Sequence, residues 1–227
     1  MKEAIITALL VLVALVGQGQ IHYRIEGNIG MPDFTGVMEL KDVFMQQSVD
    51  TIKVVNGIIT PTEGDLPEMA MCLLADTTKT IVQTDSVPQK KSKLTLGMLF
   101  VDNGAIQVER LDGHGLKQSG TPISIEIAAF NQRLAEIKEK YEEESAEGKT
   151  ALTEVLYEVI TRHSRDVYGI YVLVNEGCWY LDAPQWIELY DKLIRDNGEY
   201  IGKTPYLADD LKRTSEKYKP KSVVRPN

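Results

Sequence analysis

A change of hydrophobic period at "SGTPIS", residues 119–124, constrains this chain more than any other feature. Before it, apolar residues alternate with polar ones, the pattern of half-buried strands. "IHYRIEG" sets Ile21, Tyr23 and Ile25 on one face and His22, Arg24 and Glu26 on the other. "GVMELKDVF" suits a second strand. In "DTIKVVNGIIT", Asn56-Gly57 separates two apolar runs, which predicts a hairpin with a type I′ turn. "PEMAMCLLAD" is apolar almost throughout, as a strand covered on both faces would be. "LGMLFVDNGAIQVERLD" predicts two more strands, with Asn103-Gly104 turning one into the next. After the switch, Ile123, Ile127, Phe130, Leu134, Ile137 and Tyr141 recur at helical spacing, with Ser124 as the expected cap.

Further helices follow from the same period. Leu152, Val155, Leu156, Val159 and Ile160 form the inward stripe of a second. "RDVYGIYVLVNE" is apolar nearly all round and predicts a buried third, ended by Gly177. A fourth begins near Asp182, carries Pro184 in its first turn, buries Trp186, Leu189, Leu193 and Ile194, and stops at Asn197-Gly198. Thr204-Pro205 opens a fifth. Strands and helices are segregated, which predicts an α+β fold: an antiparallel, β-sandwich-like sheet domain over 21–123, then a helical region over 124–219. The polar stretch 76–95, interrupted by Pro88, reads as an inserted loop or protruding hairpin, and 220–227 as a short tail.

The amino terminus, "MKEAIITALLVLVALVGQGQ", has the order of an export signal: one lysine, an apolar run from Ala4 to Val16, then small and polar residues. The run falls short of the roughly 20 apolar residues that cross a bilayer. Residues 1–20 are therefore expected to be a signal peptide, cleaved between Gly17 and Ile21. The mature chain is expected in a periplasm, with a Gram-negative envelope in view, or outside the cell. A formal net charge of -8 without a basic stripe argues against nucleic acid as a partner. Lys90, Lys91 and Lys93 cluster in a polar loop and read as solvated.

No chemical signature stands out. The two cysteines, Cys72 and Cys178, have the option of a disulfide in an oxidising compartment, but two separate buried thiols are the expected outcome. Cys178 lies in "NEGCWYLD", and a dithiol centre would need a cysteine where Leu181 stands. Glu176 beside it disfavours thiolate, although the fourth helix begins just beyond. His22, His114 and His163 lack metal-ligand spacing. "GHGLKQSG" is followed by no phosphate-loop lysine. Glu142, Glu143 and Glu144 read as a solvated helix end, and Trp179 and Trp186 as packed core. No catalytic residue, metal or cofactor is assigned.

Several segments, in this order, resemble the exported bacterial domain-of-unknown-function family 4369. They are "YRIEGNI", "DTIKVVNGIIT", "LFVDNGAIQVE", "SGTPIS" leading into a helix, and "RHSRDVYGIYVL". An isoleucine, Ile59, stands where that family commonly has an aromatic. The domain usually precedes a thioredoxin-like (redoxin) domain with a W-C-x-x-C motif, and no such motif occurs here. The resemblance implies an exported, non-catalytic accessory or interaction domain whose partner is a separate thioredoxin-like or other envelope protein. Two further readings are carried alongside it. One is a small-molecule or peptide binding module using the 76–95 insertion, and the other a redox enzyme using Cys178.

Overall fold

A computed structural model describes residues 20–81, 92–111, 115–142 and 145–218. The signal-like segment up to Gly19, the loop tip with Pro88, Lys90 and Lys91, His114, Glu143, Glu144 and the tail lie outside these residues. The strands are β1 (Ile21–Asn28), β2 (Gly36–Asp42), β3 (Ser48–Val55), β4 (Ile58–Leu66), β5 (Ala70–Ile81), β6 (Ser92–Val101), β7 (Gly104–Leu111) and β8 (Gly115–Ser119). The helices are α1 (Pro122–Lys140), α2 (Ala146–Arg162), α3 (Val167–Val172), α4 (Ala183–Lys203) and α5 (Pro205–Tyr218). The fold is α+β, strands first and helices after, as the switch of period requires.

Among the described residues the strands form one sheet in the order β6-β5-β2-β3-β4-β1-β7-β8, curled nearly into a barrel. Its interior is filled by alternate residues of successive strands: Tyr23 and Ile25, Met38 and Leu40, Ile52 and Val54, Cys72 and Leu74, Leu99 and Val101, Ile106 and Val108. The period of two seen in the sequence is thus the inward-facing set of the barrel. Asn56 and Gly57 adopt φ of 51° and 78°, the left-handed values that the predicted I′ hairpin needs. The arms of β5 and β6 run past Asp76 to Ile81 and back from Ser92, so the ends of the 76–95 insertion are a paired hairpin.

Two connections depart from the sequence reading. Asn103-Gly104 is not a hairpin, because β7 leaves β6 and pairs in parallel with β1 from Tyr23↔Gly104 to Asn28↔Glu109. Asn103 secures the change by accepting a hydrogen bond from the His22 N–H at 3.1 Å. At Gly27 (φ 142°) the two strands approach so closely that a Cβ would lie 1.9 Å from the Val108 carbonyl oxygen. The sheet is therefore mixed, with one parallel pair among the described residues.

The second departure closes the barrel. The sheet edges β6 and β8 come together at a seam, and the Gln118 side chain bridges them. Its Oε1 accepts from the Phe100 N–H at 2.7 Å, and its Nε2 donates to the Phe100 carbonyl at 3.1 Å. A side-chain amide thus supplies the donor and acceptor that a ladder partner would have offered. The same Nε2 lies 3.1 Å from Ser124 Oγ, which is 2.7 Å from Thr121 Oγ1. Thr121, not Ser124, caps α1, by accepting from the Ser124 N–H. Asp102 Oδ2 accepts from the Ile123 N–H at 3.1 Å. The seam and the first turn of α1 are one hydrogen-bonded unit.

The helices cover the outer face of β5 and β6 through Met71 and Phe100, which join the helical core and not the barrel core. This explains the unbroken apolar run in β5, whose two faces serve different cores. The predicted stripes hold: Ile123, Phe130 and Leu134 of α1, and Leu152, Val155, Leu156, Val159 and Ile160 of α2, are buried. Gly177 does not end α3. The helix widens into a π turn over Leu173–Gly177 and closes with Cys178–Tyr180. Asp182 and Gln185 form a capping box on α4, which kinks at Asn197 and continues to Lys203.

Two measurements follow. Gln118→Leu leaves the Phe100 N–H and C=O without partners, and should cost about 1–3 kcal/mol. A urea midpoint equal to that of the parent chain would refute the seam bond. Lys192 Nζ and, to a smaller extent, Ser164 Oγ, each donating to Asp196 Oδ2 at 2.8 Å, hold the Asp196 carboxyl down at about 2. A depressed folded value stabilises above the ordinary aspartate range and is lost as pH falls through about 2. Ser164→Ala should therefore destabilise at neutral pH, and the difference from the parent should shrink in acid unfolding near pH 2.

Candidate functional site: a cleft on the barrel seam

The seam leaves a cleft of about 610 Å³ between β6, β8, α1 and the end of α3. Its floor is aromatic because three elements place rings there. Phe100 faces outward from β6, Phe130 lies on the buried stripe of α1, and Tyr168 and Tyr171 come from the all-apolar α3. Phe100 meets Tyr168 and Tyr171 edge to face, with centroids 5.3 Å apart in each pair. Phe130 meets Tyr168 at 6.5 Å. These are the offset and perpendicular arrangements that ring quadrupoles favour. Met98, Leu116 and Ile127 add partly exposed apolar walls, and Lys117, Gln118, Asn131 and Glu176 supply polar groups.

Tyr168 is 1% exposed, and its buried hydroxyl has no hydrogen-bond partner among the described residues. A buried polar atom left unpaired costs on the order of 1–3 kcal/mol, and a ligand atom is one way to recover it. Burial, followed by the neighbouring Tyr171, Glu126, Asp166 and Glu176, pushes the Tyr168 hydroxyl above the ordinary phenol range. Burial and Glu176 do the same to Tyr171. Both phenols stay protonated and serve as donors, with Glu176 close enough to be felt by each. Glu176 reaches this position through the π turn, which adds girth to the helix where it borders the cleft.

The thiols singled out from sequence lie elsewhere. Cys72 is buried in the barrel interior, and Cys178 is exposed on the helical side. Both are free thiols, so the structure makes no Cys72–Cys178 bridge. The expectation of a packed Cys178 is corrected: it stands on a final helical turn where it and Trp179 are exposed, while Tyr180 packs against the helical core. Cys178 follows a helix instead of leading one, so it receives the negative end of the dipole. Burial raises its thiol against a smaller opposing backbone hydrogen bond, with Glu176 adding the least, and Sγ donates to the Asn175 carbonyl at 3.4 Å. Trp179, expected in the core, is 78% exposed, whereas Trp186 is fully buried against Tyr190 and Tyr218.

Among the described residues, His22 and His163 do not converge. His22 Nδ1 pairs with Asp65 on the outer face of β1 at 3.0 Å. His163 Nδ1 pairs with Asp166 at 2.8 Å, and its ring meets the edge of Tyr168 at 5.0 Å. Among the described residues no group of three or more His, Cys, Asp and Glu is placed to hold a metal ion. Among them, too, no helix is long and apolar enough to cross a membrane.

The sequence reading missed the cleft. Phe130 and Tyr168 were legible only as core positions, and Gln118 only as part of a glycine-flanked turn. One signal was available: the tyrosines and the glutamate of "VYGIYVLVNE" are polar groups inside a run that is otherwise apolar. Comparison with protein-family models, curated proteins and solved structures found no match for this chain.

Alkylation of the folded protein checks the thiol assignment. Cys178 should be modified slowly at neutral pH and faster above pH 9, and Cys72 only after unfolding. Rapid labelling of Cys178 at pH 6 would revive the redox reading.

Proposed function

We propose that the chain is an exported, non-catalytic binding domain that receives its ligand in the seam cleft. The observation that carries this reading is a cleft of about 610 Å³ with an aromatic floor and the polar groups of Lys117, Asn131 and Glu176 among its lining. Binding sites for small organic molecules are concave, mostly apolar, about 300–1,000 Å³ in volume, and carry a few convergent polar groups. The cleft has these properties. The binding reading drawn from sequence therefore moves from the 76–95 insertion to the seam, where the lining residues fall within 97–131 and 168–176.

Export is part of the proposal and rests on the charge, apolar run and small residues of 1–20. The apolar cleft supports an accessory role, since it offers a surface without a reactive group at its centre. The raised, exposed Cys178 thiol speaks against the redox alternative.

A second reading, docking of a thioredoxin-like or other envelope protein, is favoured by Trp179. An indole 78% exposed, on the turn that follows Glu176, is the kind of anchor that protein interfaces bury. Trp179→Ala should then lose the partner in a pull-down from envelope extract while the isolated fold is unchanged.

The cleft itself is tested by nuclear magnetic resonance titration with phenylethyl fragments of differing charge. Shifts should concentrate on Phe130, Tyr168 and Tyr171. Ala128 is exposed on α1 and borders the cleft, so Ala128→Trp fills the space without disturbing the core. It should abolish the shifts and leave thermal stability within a few degrees. Shifts scattered over the surface, or unaffected by Ala128→Trp, would remove the cleft as the binding site.

A further inference from the structure

The cleft also carries information about the charge of what it binds. Its polar groups are unequal in position. Gln118 and Ser124 are spent on the seam, where they bond to Phe100 and to each other. Asn131 and Lys117 are exposed. Glu176 is partly buried at the edge of the aromatic floor and has no ion pair with another described residue. The ring floor adds to its field, because aromatic faces present the negative part of their quadrupole. The chain as a whole is acidic, at -8, so approach of a cation is favoured over that of an anion.

We propose that the ligand of this cleft is a small organic cation, an ammonium or guanidinium group on an apolar, ring-sized body. The inference rests on the cleft being the binding site. The cation sits against the Glu176 carboxylate and over the partly exposed Tyr171 ring, and the apolar body lies on Phe100 and Phe130 between Met98 and Ile127. An anion of the same shape would meet Glu176 and the ring faces with the wrong sign. Lys117 does not reverse this preference, because its ammonium is on the exposed strand β8 and is strongly hydrated, whereas Glu176 is partly withdrawn from water.

The test compares three probes that share a phenylethyl body: 2-phenylethylamine, 2-phenylethanol and 3-phenylpropionate. Each is titrated into the full mature chain at pH 7 and low salt, with chemical shifts as the readout. The amine should bind about tenfold or more tightly than the other two. Glu176→Gln should remove that advantage, leaving the amine no tighter than 2-phenylethanol in the same variant. Because Glu176 is partly exposed and forms no ion pair with a described residue, the variant should unfold at the parent's urea midpoint, which is measured alongside. Equal binding of all three in the cleft would overturn the cation assignment while leaving the cleft as the binding site. An unchanged preference in Glu176→Gln would also overturn it. Absence of binding by any of the three would remove both this inference and the reading on which it rests.

Discussion

The architecture depends on an amide that stands in for a peptide group. An eight-stranded sheet that curls must either close or leave two edges with unpaired N–H and C=O groups. Here the last strand, β8, is short, and a full ladder to β6 is replaced by the Gln118 side chain bonded to both polar groups of Phe100. That substitution closes the barrel without drawing the strands into regular pairing, and so leaves a cleft beside the seam. It also couples the barrel to the helices, since Gln118 continues through Ser124 to the Thr121 cap of α1. Loss of one side chain therefore touches closure, capping and the cleft together.

The second constraint is the division of β5 and β6 between two cores. Cys72, Leu74 and Leu99 face the barrel interior, while Met71 and Phe100 face the helices. Strands buried on both faces are costly to expose, so the helical layer is integral to the fold and not an appendage. The helix packed on this surface, α3, had to be apolar nearly all round. Its widening into a π turn at Leu173–Gly177 places Glu176 on the cleft lining with the two tyrosines. The cleft is thus assembled from side chains that each have a packing role, with the polar groups confined to its edge.

Little of that site was legible in the sequence, for a physical reason. Phe100, Gln118, Phe130 and the Tyr168–Glu176 segment are distant along the chain and share no motif, so nothing but chain closure brings them together. Cys178 and the two tryptophans stand out in the sequence, but their immediate neighbours do not fix their exposure. Cys178 and Trp179 follow a buried helix and were read as buried with it, yet the terminal turn after the π segment rotates both to the surface. Trp186, placed on the stripe of a capped helix, was correctly read because its periodicity extends over several turns.

The sequence alone determined what depends on neighbours within a turn or a strand pair. It set the order of strands and helices, the Asn56-Gly57 hairpin, the inward stripes of α1 and α2, and the proline-marked starts of α4 and α5. Local sterics and hydrophobic period govern all of these. Tertiary structure decided what depends on pairing across distance. It joined β7 to β1 in parallel instead of to β6, curled the sheet until Gln118 met Phe100, and carried α4 past Asn197-Gly198. Those outcomes follow from satisfying backbone groups and burying apolar faces over the whole molecule at once, a balance that no local stretch of residues contains.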